Sequence, residues 1–479
     1  MGSSIASCWR KLSGEKNWED LLEPLDPHLR RYIIHYGQMV GAVGDLFNSD
    51  TYQPDASEED FFSEACLVQG NPYRYEVSSF IYAGSQSVDS AWIGYVAVAT
   101  DQGRDVLGRR DILIAWRGSS TRSEWHNNVG VRSQRATATD LFPGQAEVKV
   151  HQGFYSLYTG TKPDSDHNKT SARDHVLEAV RGLVDKYKGE EISITVTGFS
   201  LGAALATLTA VDIVTHGYKS YNKTTGKLEP VMVTAFTFGC PRVVNTEFRR
   251  VFNTLCDDQP LHLLRIENED DFIPRIPWEC LSYTSLGNTL VVNSSVSKYL
   301  KQGLSLNYSC SKTVPRKGDG YLLEALLYIY LFSVLLLFLL ESMGLLPQWL
   351  VLLILFVIIA TLFILFPNKD KGGDQDRNGF ELSFTINFGD GREPIHTTIT
   401  NVPEKCVFHN MDVYLHGVAI KDVDEDTAAG KLDHDIALVN KHLDCLKAEC
   451  GIPSNWWAGE NRNRMRQSEN GRWEQLVES

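Results

Sequence analysis

The chain has no C-x-x-C pair and no histidine–cysteine cluster at metal-ligand spacing, although it carries nine cysteines in 479 residues. That excludes zinc-ribbon and thioredoxin-like readings, and no metal or cofactor is expected. Reduced thiols in a cytosol-facing protein account for the odd cysteine number. Runs of lysine and arginine are also missing. With 46 basic against 60 acidic residues and a formal net charge of -14, nothing in the charge pattern suits nucleic acid. The first thirty residues hold Glu15, Glu19 and Asp20 but no apolar core of a signal peptide, so no secretory leader is expected. The glycosylation tripeptides at Asn168, Asn222, Asn293 and Asn307 therefore carry no weight. A myristoylation start is not met either, because Ala6 stands where that motif needs Ser or Thr. No internal repeat is visible.

Against these absences stand alternating strand-like and helix-like segments. Residues 15–50 read as two short amphipathic helices, with Leu29, Tyr32, Ile33 and Tyr36 at helical spacing. Strands are expected at Trp92–Ala99, Asp111–Trp116, Ile192–Thr197, Val231–Phe238 and His262–Ile266. Helices are expected over Ala172–Tyr187, Ser200–Thr215 and Thr246–Thr254. Such alternation predicts an α/β fold with a mostly parallel sheet and helices on both faces.

Two apolar runs then break the pattern. Ala325–Leu340 has sixteen uncharged residues and Met343–Phe366 has twenty-four, with Glu341 between them. At about 1.5 Å per residue the second can cross a hydrocarbon core of about 30 Å. The expectation is a membrane helical hairpin over about 321–340 and 345–366. Arg316 and Lys317 before it, and Lys369 and Lys371 after it, place both flanks in the cytosol. The chain is thus expected to be integral to a membrane with its main domain facing the cytosol. Without the insertion it would read as cytoplasmic. Beyond the runs, Gly379–Phe388 and Ile395–Val402 alternate around Gly389-Asp390-Gly391 and predict a β-hairpin. Four segments follow: 1–75 helical, 76–301 the α/β core, 302–405 the insertion, and 406–479 a return to the main domain.

The chemistry centres on Gly198-Phe199-Ser200-Leu201-Gly202, placed between a strand and a helix. This is the layout of a nucleophile elbow, which presents a serine Oγ from a sharp strand-to-helix turn, as in the α/β-hydrolase fold. A serine needs a base, and the base needs a carboxylate to orient it. The acidic loop after the His262–Ile266 strand offers Glu269, Asp270 and Asp271. Downstream, His409 and His416 lie seven residues apart and are expected to share one face of a helix. The residues alone leave both choices open. Oxyanion donors are expected from the Leu201 N–H and from the loop holding Ser119 and Ser120.

Several segments resemble class 3 lipases. These are Ala115-Trp116-Arg117-Gly118-Ser119, Val150-His151-Gln152-Gly153-Phe154, the elbow, Phe238-Gly239-Cys240-Pro241-Arg242-Val243 and Asp271–Pro277. Asn17–Asp26, Leu29–Gly37, His409-Asn410-Met411-Asp412-Val413-Tyr414-Leu415-His416-Gly417 and the tail around Trp456, Met465 and Trp473 are similar to the plant phospholipase A1 (type II) branch. The resemblance covers about 1–301 and 406–479. It implies Ser200 as nucleophile, Asp271 as acid, His409 as base and Ser119 in the oxyanion hole. It also implies an interfacial lid over Ser120–Asn128, including Trp125, and a structural role for His151. Phe199 departs from it, since the family usually has His there, and so does the insertion.

The implied activity is hydrolysis of glycerolipid acyl esters, most simply the sn-1 ester of phospholipids, at a bilayer surface. A lipase for galactolipids or mono- and diacylglycerols, and an inactive lipid-binding scaffold, are the alternatives. Oligomeric state is not legible.

Overall fold

In the computed structural model the described residues are 2–120, 124, 135–223, 225–277, 282–301, 381–386, 395–400, 408–423, 435–468 and 473–476. One compact unit comprises residues 1–306 and 380–479 and contains every site residue discussed below; a second comprises 307–379. The two apolar runs of the expected hairpin lie outside the described residues. Among the described residues no helix is long and apolar enough to cross a membrane.

The main sheet has seven strands in sequential order: β1 (Tyr75–Ala83), β2 (Ala91–Ala99), β3 (Arg110–Trp116), β4 (Ile192–Phe199), β5 (Met232–Phe238), β6 (Leu261–Asn268) and β7 (Asn288–Val292). From β3 to β7 every pairing is parallel, whereas β1–β2 and β2–β3 are antiparallel. The sheet is therefore mixed, with the expected parallel part joined to an antiparallel edge. Strands β2 to β5 are buried along almost their whole length, which explains their nearly continuous apolar sequence.

The principal helices are α1 (Gly2–Leu12), α2 (Pro27–Asp45), α3 (Ala172–Tyr187), α4 (Leu201–Thr215), α5 (Thr246–Asp258) and α6 (Met411–Ile420). Alternation along β3 divides the core. Ile112, Ile114 and Trp116 join the α3–α4–α5 side, while Leu113 and Ala115 join the side covered by α1, α2 and α6.

The two short helices expected over 15–50 are replaced by one. Asp26 caps α2 by accepting from the N–H groups of His28 and Leu29, and Pro27 at the first helical position starts it. Its centre is buried all round, because Gly37 leaves room for α6: a Cβ there would lie 2.3 Å from Leu415 Cδ2. The N-terminal segment is accordingly part of the main unit's core. A buried polar network fastens it to the sheet, with Tyr36 and Tyr75 donating hydroxyls to Asp111 at 2.8 and 2.7 Å. Ser193 and Thr195 donate to the other oxygen of Asp111.

Glu381–Ile386 pairs antiparallel with Ile395–Thr400, and the expected turn at Gly389-Asp390-Gly391 lies outside the described residues. None of the described cysteines forms a disulfide.

Candidate active site

Ser200 occupies the junction between β4 and α4 with φ 55° and ψ -118°. A non-glycine residue in this region costs about 1–3 kcal/mol, which the surrounding structure must hold in place. The Ser200 N–H donates to the Phe238 carbonyl at 2.9 Å, tying the turn to β5. The flanking glycines are needed for close approach. A Cβ at Gly198 would lie 2.2 Å from the Gly202 carbonyl oxygen, and one at Gly202 would lie 2.2 Å from that of Trp116.

The turn after β6 supplies the carboxylate. Of the three acidic candidates, Asp271 is buried, whereas Glu269 and Asp270 are exposed. Asp271 Oδ1 accepts the Ile273 N–H at 2.9 Å, and Oδ2 lies 2.6 Å from His409 Nδ1. His409 Nε2 in turn lies 2.7 Å from Ser200 Oγ. A proton on Nδ1, facing the carboxylate, leaves Nε2 free to accept from the serine hydroxyl.

The two histidines do not share a helix face. α6 begins at Met411, and Asn410 caps it by accepting from the Asp412 and Val413 N–H groups. His409 therefore lies in a bend just before the helix and reaches Ser200, while His416 is buried inside α6 with Nε2 2.8 Å from Ser297 Oγ. His151 also stands apart from Ser200. Its Nδ1 accepts the Gly153 N–H at 3.2 Å as a helix cap, and burial pushes its imidazole down to about 4, so it is neutral.

Leu201 is the first residue of α4, so its N–H belongs to the unpaired donors of a helix N-terminus, where negative charge is favoured. Ser119 lies half-buried in the loop that leaves β3. That loop is pinned by Arg117, whose guanidinium makes two hydrogen bonds to Glu124 at 2.9 and 2.8 Å, with both side chains buried. Glu124 Oε2 also accepts the Ser120 N–H at 2.8 Å. Trp125, expected in a lid, lies outside the described residues.

Two residues at the site had no assigned role from sequence. Tyr414 donates to Asp271 Oδ2 at 2.6 Å. Burial, reinforced by the Asp271 charge, holds its phenol well above the usual range, so it remains a donor. Phe199 stacks on the His409 ring with centroids 4.7 Å apart and planes 29° apart. The i+5 spacing of His409 and Tyr414 was a usable signal; the ring stack has none in sequence. Among the described residues no group of three or more His, Cys, Asp or Glu side chains could hold a metal.

Residues 113–280 match the family model described as lipase (class 3). Phospholipase A1-IIbeta of Arabidopsis thaliana is 32% identical over 500 residues, covering 99% of this chain and 94% of that protein. This chain belongs to the class 3 lipase family, in its phospholipase A1-II branch. Phospholipase A1-IIgamma of the same plant is 41% identical over 321 residues, covering 62% of this chain and 74% of that protein. Among solved structures, Lip2 lipase from Yarrowia lipolytica is similar at TM-score 0.39 and 17% identity, over 56% of this chain and 80% of that one. The segment matched by the class 3 lipase model contains Ser119, Ser200 and Asp271 and ends before His409.

Proposed function

We infer that this chain is a serine acylhydrolase, a carboxylic ester hydrolase acting on glycerolipids, with Ser200, His409 and Asp271 as its triad. One observation carries the reading: a single imidazole bridges Ser200 Oγ at 2.7 Å and Asp271 Oδ2 at 2.6 Å. His409 Nε2 takes the hydroxyl proton as Ser200 Oγ attacks the ester carbonyl. The carboxylate of Asp271 stabilises the imidazolium that forms, and the N–H of Leu201 with Ser119 receives the oxyanion. Collapse of the tetrahedral intermediate expels the glycerol oxygen, which takes the proton from His409. Water, deprotonated by the same imidazole, then releases the fatty acid and restores Ser200.

Phospholipase A1 chemistry, meaning release of the sn-1 acyl chain, is the substrate reading supported by kinship with the phospholipases A1-II of Arabidopsis thaliana. Ser200→Ala should lower kcat by about 10⁴–10⁶-fold on phosphatidylcholine micelles and abolish labelling by a fluorophosphonate probe. Retained hydrolysis would overturn the mechanism. Positional analysis of the lysolipid decides between sn-1 and sn-2, and a lipid panel decides among phospholipid, galactolipid and acylglycerol.

The apolar runs at 325–340 and 343–366 further support attachment of the enzyme to the bilayer that contains its substrate. Tethering would raise the effective concentration of ester at the site. Release of the full chain into the supernatant by alkaline carbonate would contradict an integral segment.

A further inference from the structure

An imidazole donates and accepts through its two nitrogens in the plane of its ring, and His409 uses both. These two hydrogen bonds fix the line from Asp271 to Ser200, yet they restrain only weakly the roll of the imidazole about that line. Something must bear on the ring face, because misplacing a reacting group by about 1 Å can cost on the order of 10²-fold in rate. Phe199 is the side chain in that position. Its ring stacks on His409 at 4.7 Å and meets Tyr414 edge-on at 6.0 Å, with the planes 71° apart. On the oxyanion side it is packed against Gly118, where a Cβ would lie 2.9 Å from Phe199 Cδ1. One half-buried phenyl ring thus touches the segment that carries the base and the loop that carries Ser119.

Its own placement is fixed by the elbow. Phe199 is the last residue of β4, in register with Phe238 of β5, and it directly precedes the strained Ser200. Gly239, with φ 58°, approaches the same imidazole: a Cβ there would lie 3.0 Å from His409 Cε1. The base therefore meets a ring face at Phe199 and, near Cε1, a residue with no side chain.

We propose that Phe199 is a positioning residue that sets the roll of the His409 ring and presents an aromatic face to the imidazolium formed during acylation and deacylation. The proposal rests on the triad reading above. Phenylalanine holds no titratable proton, so the position usually filled by histidine in this family here adds a ring face without a second charge beside the base. A cation over an aromatic face gains about 0.5–1 kcal/mol at partly exposed sites, a gain absent while the imidazole is neutral. The contact therefore favours the transition state over the ground state and acts on kcat.

The test compares Phe199→Leu, Phe199→Ala and Phe199→Tyr in the full chain on phosphatidylcholine micelles. Leu keeps apolar bulk and removes the ring face. Its kcat should fall about 2–5-fold at constant KM, with the acidic limb of kcat against pH displaced to lower pH, because the charged ring is less favoured. Ala also frees the roll and should lower kcat by on the order of 10²-fold. Tyr keeps the ring face and should recover most of the wild-type kcat and its pH limb. A Leu variant with wild-type kcat and pH limb overturns the proposal, as does a Leu or Ala variant that changes KM alone. If Ala fails to fold, judged by its thermal melt, Leu and Tyr still decide. Persistent activity of Ser200→Ala would instead remove the underlying triad reading, whatever the Phe199 variants do.

Discussion

Tyr414 and Asp271 share a hydrogen bond of 2.6 Å, made to the same carboxylate oxygen that His409 engages. The tyrosine sits on α6, five residues beyond the histidine, while the aspartate belongs to the turn after β6. The contact therefore joins the returning C-terminal segment to the sheet at the carboxylate itself. Tyr414→Phe removes one buried donor to a charged group, worth about 1.5–3 kcal/mol. We expect kcat to fall about tenfold with KM little changed, read from steady-state hydrolysis of phosphatidylcholine. An unchanged kcat would show that His409 and the Ile273 N–H suffice to hold Asp271.

Two glycines, one in the elbow and one in α3, should give opposite outcomes when replaced by alanine. Gly202→Ala would drive a Cβ to 2.2 Å from the Trp116 carbonyl oxygen and 2.4 Å from that of Arg117. This variant should lose the fold or show a Tm lowered by more than ten degrees, since backbone on both sides cannot yield. Gly182 lies in the exposed middle of α3 with nothing within 4 Å of its Cβ position. Gly182→Ala should gain about 0.5–1 kcal/mol from the helix preference of alanine. Thermal melts of both variants check the pair.

The histidines should separate by function. On the proposed triad, His409→Ala is expected to reduce kcat by about 10⁴-fold or more. His416→Ala breaks the buried contact with Ser297 and leaves a gap inside α6. It should lower Tm and leave fluorophosphonate labelling of Ser200 intact in the folded fraction. Loss of labelling there would mean that His416, not His409, serves the serine.

Asp412 links stability to pH. Its carboxyl is buried in the first turn of α6 with Oδ2 lacking a hydrogen-bond partner. Burial pushes it up to about 6, against the attraction of His442 and Lys441 and with the repulsion of Asp45. The folded state therefore holds this proton more tightly than the unfolded chain does. The favourable contribution is complete below about pH 4, the ordinary aspartate range, and is lost as pH rises through about 6. Asp412→Asn should thus stabilise the protein by on the order of 1–3 kcal/mol at pH 7.5 and much less at pH 4.5. Equal effects at the two pH values would contradict it.

Local sequence was enough wherever one segment determines its own state. α3 runs over Ala172–Tyr187, as its apolar spacing and the Ser171 cap dictate. β4 and α4 flank Ser200 because β-branched residues give way to alanine and leucine across two glycines. Failures came where a partner decides. Leu29, Tyr32, Ile33 and Tyr36 have helical spacing, but one continuous α2 depends on α6 packing against Gly37. The antiparallel edge of the sheet was missed because β1, only partly buried, has weak alternation. His409 and His416 were seven residues apart in either case; the Asn410 cap, which starts α6 after His409, separated them.

The sequence alone determined the strand–turn–helix elbow, because that depends on residue type and short spacing, and it left the carboxylate and histidine candidates open. It placed the class 3 lipase motifs as well. Tertiary structure decided which histidine meets Ser200 and which carboxylate meets that histidine. Asp271 and His409 are 138 residues apart, and only the docking of α6 against β6 brings them within 2.6 Å. The stack of Phe199 on His409 was decided in the same way. A ring face is a relation between two surfaces, and no spacing along a chain encodes it.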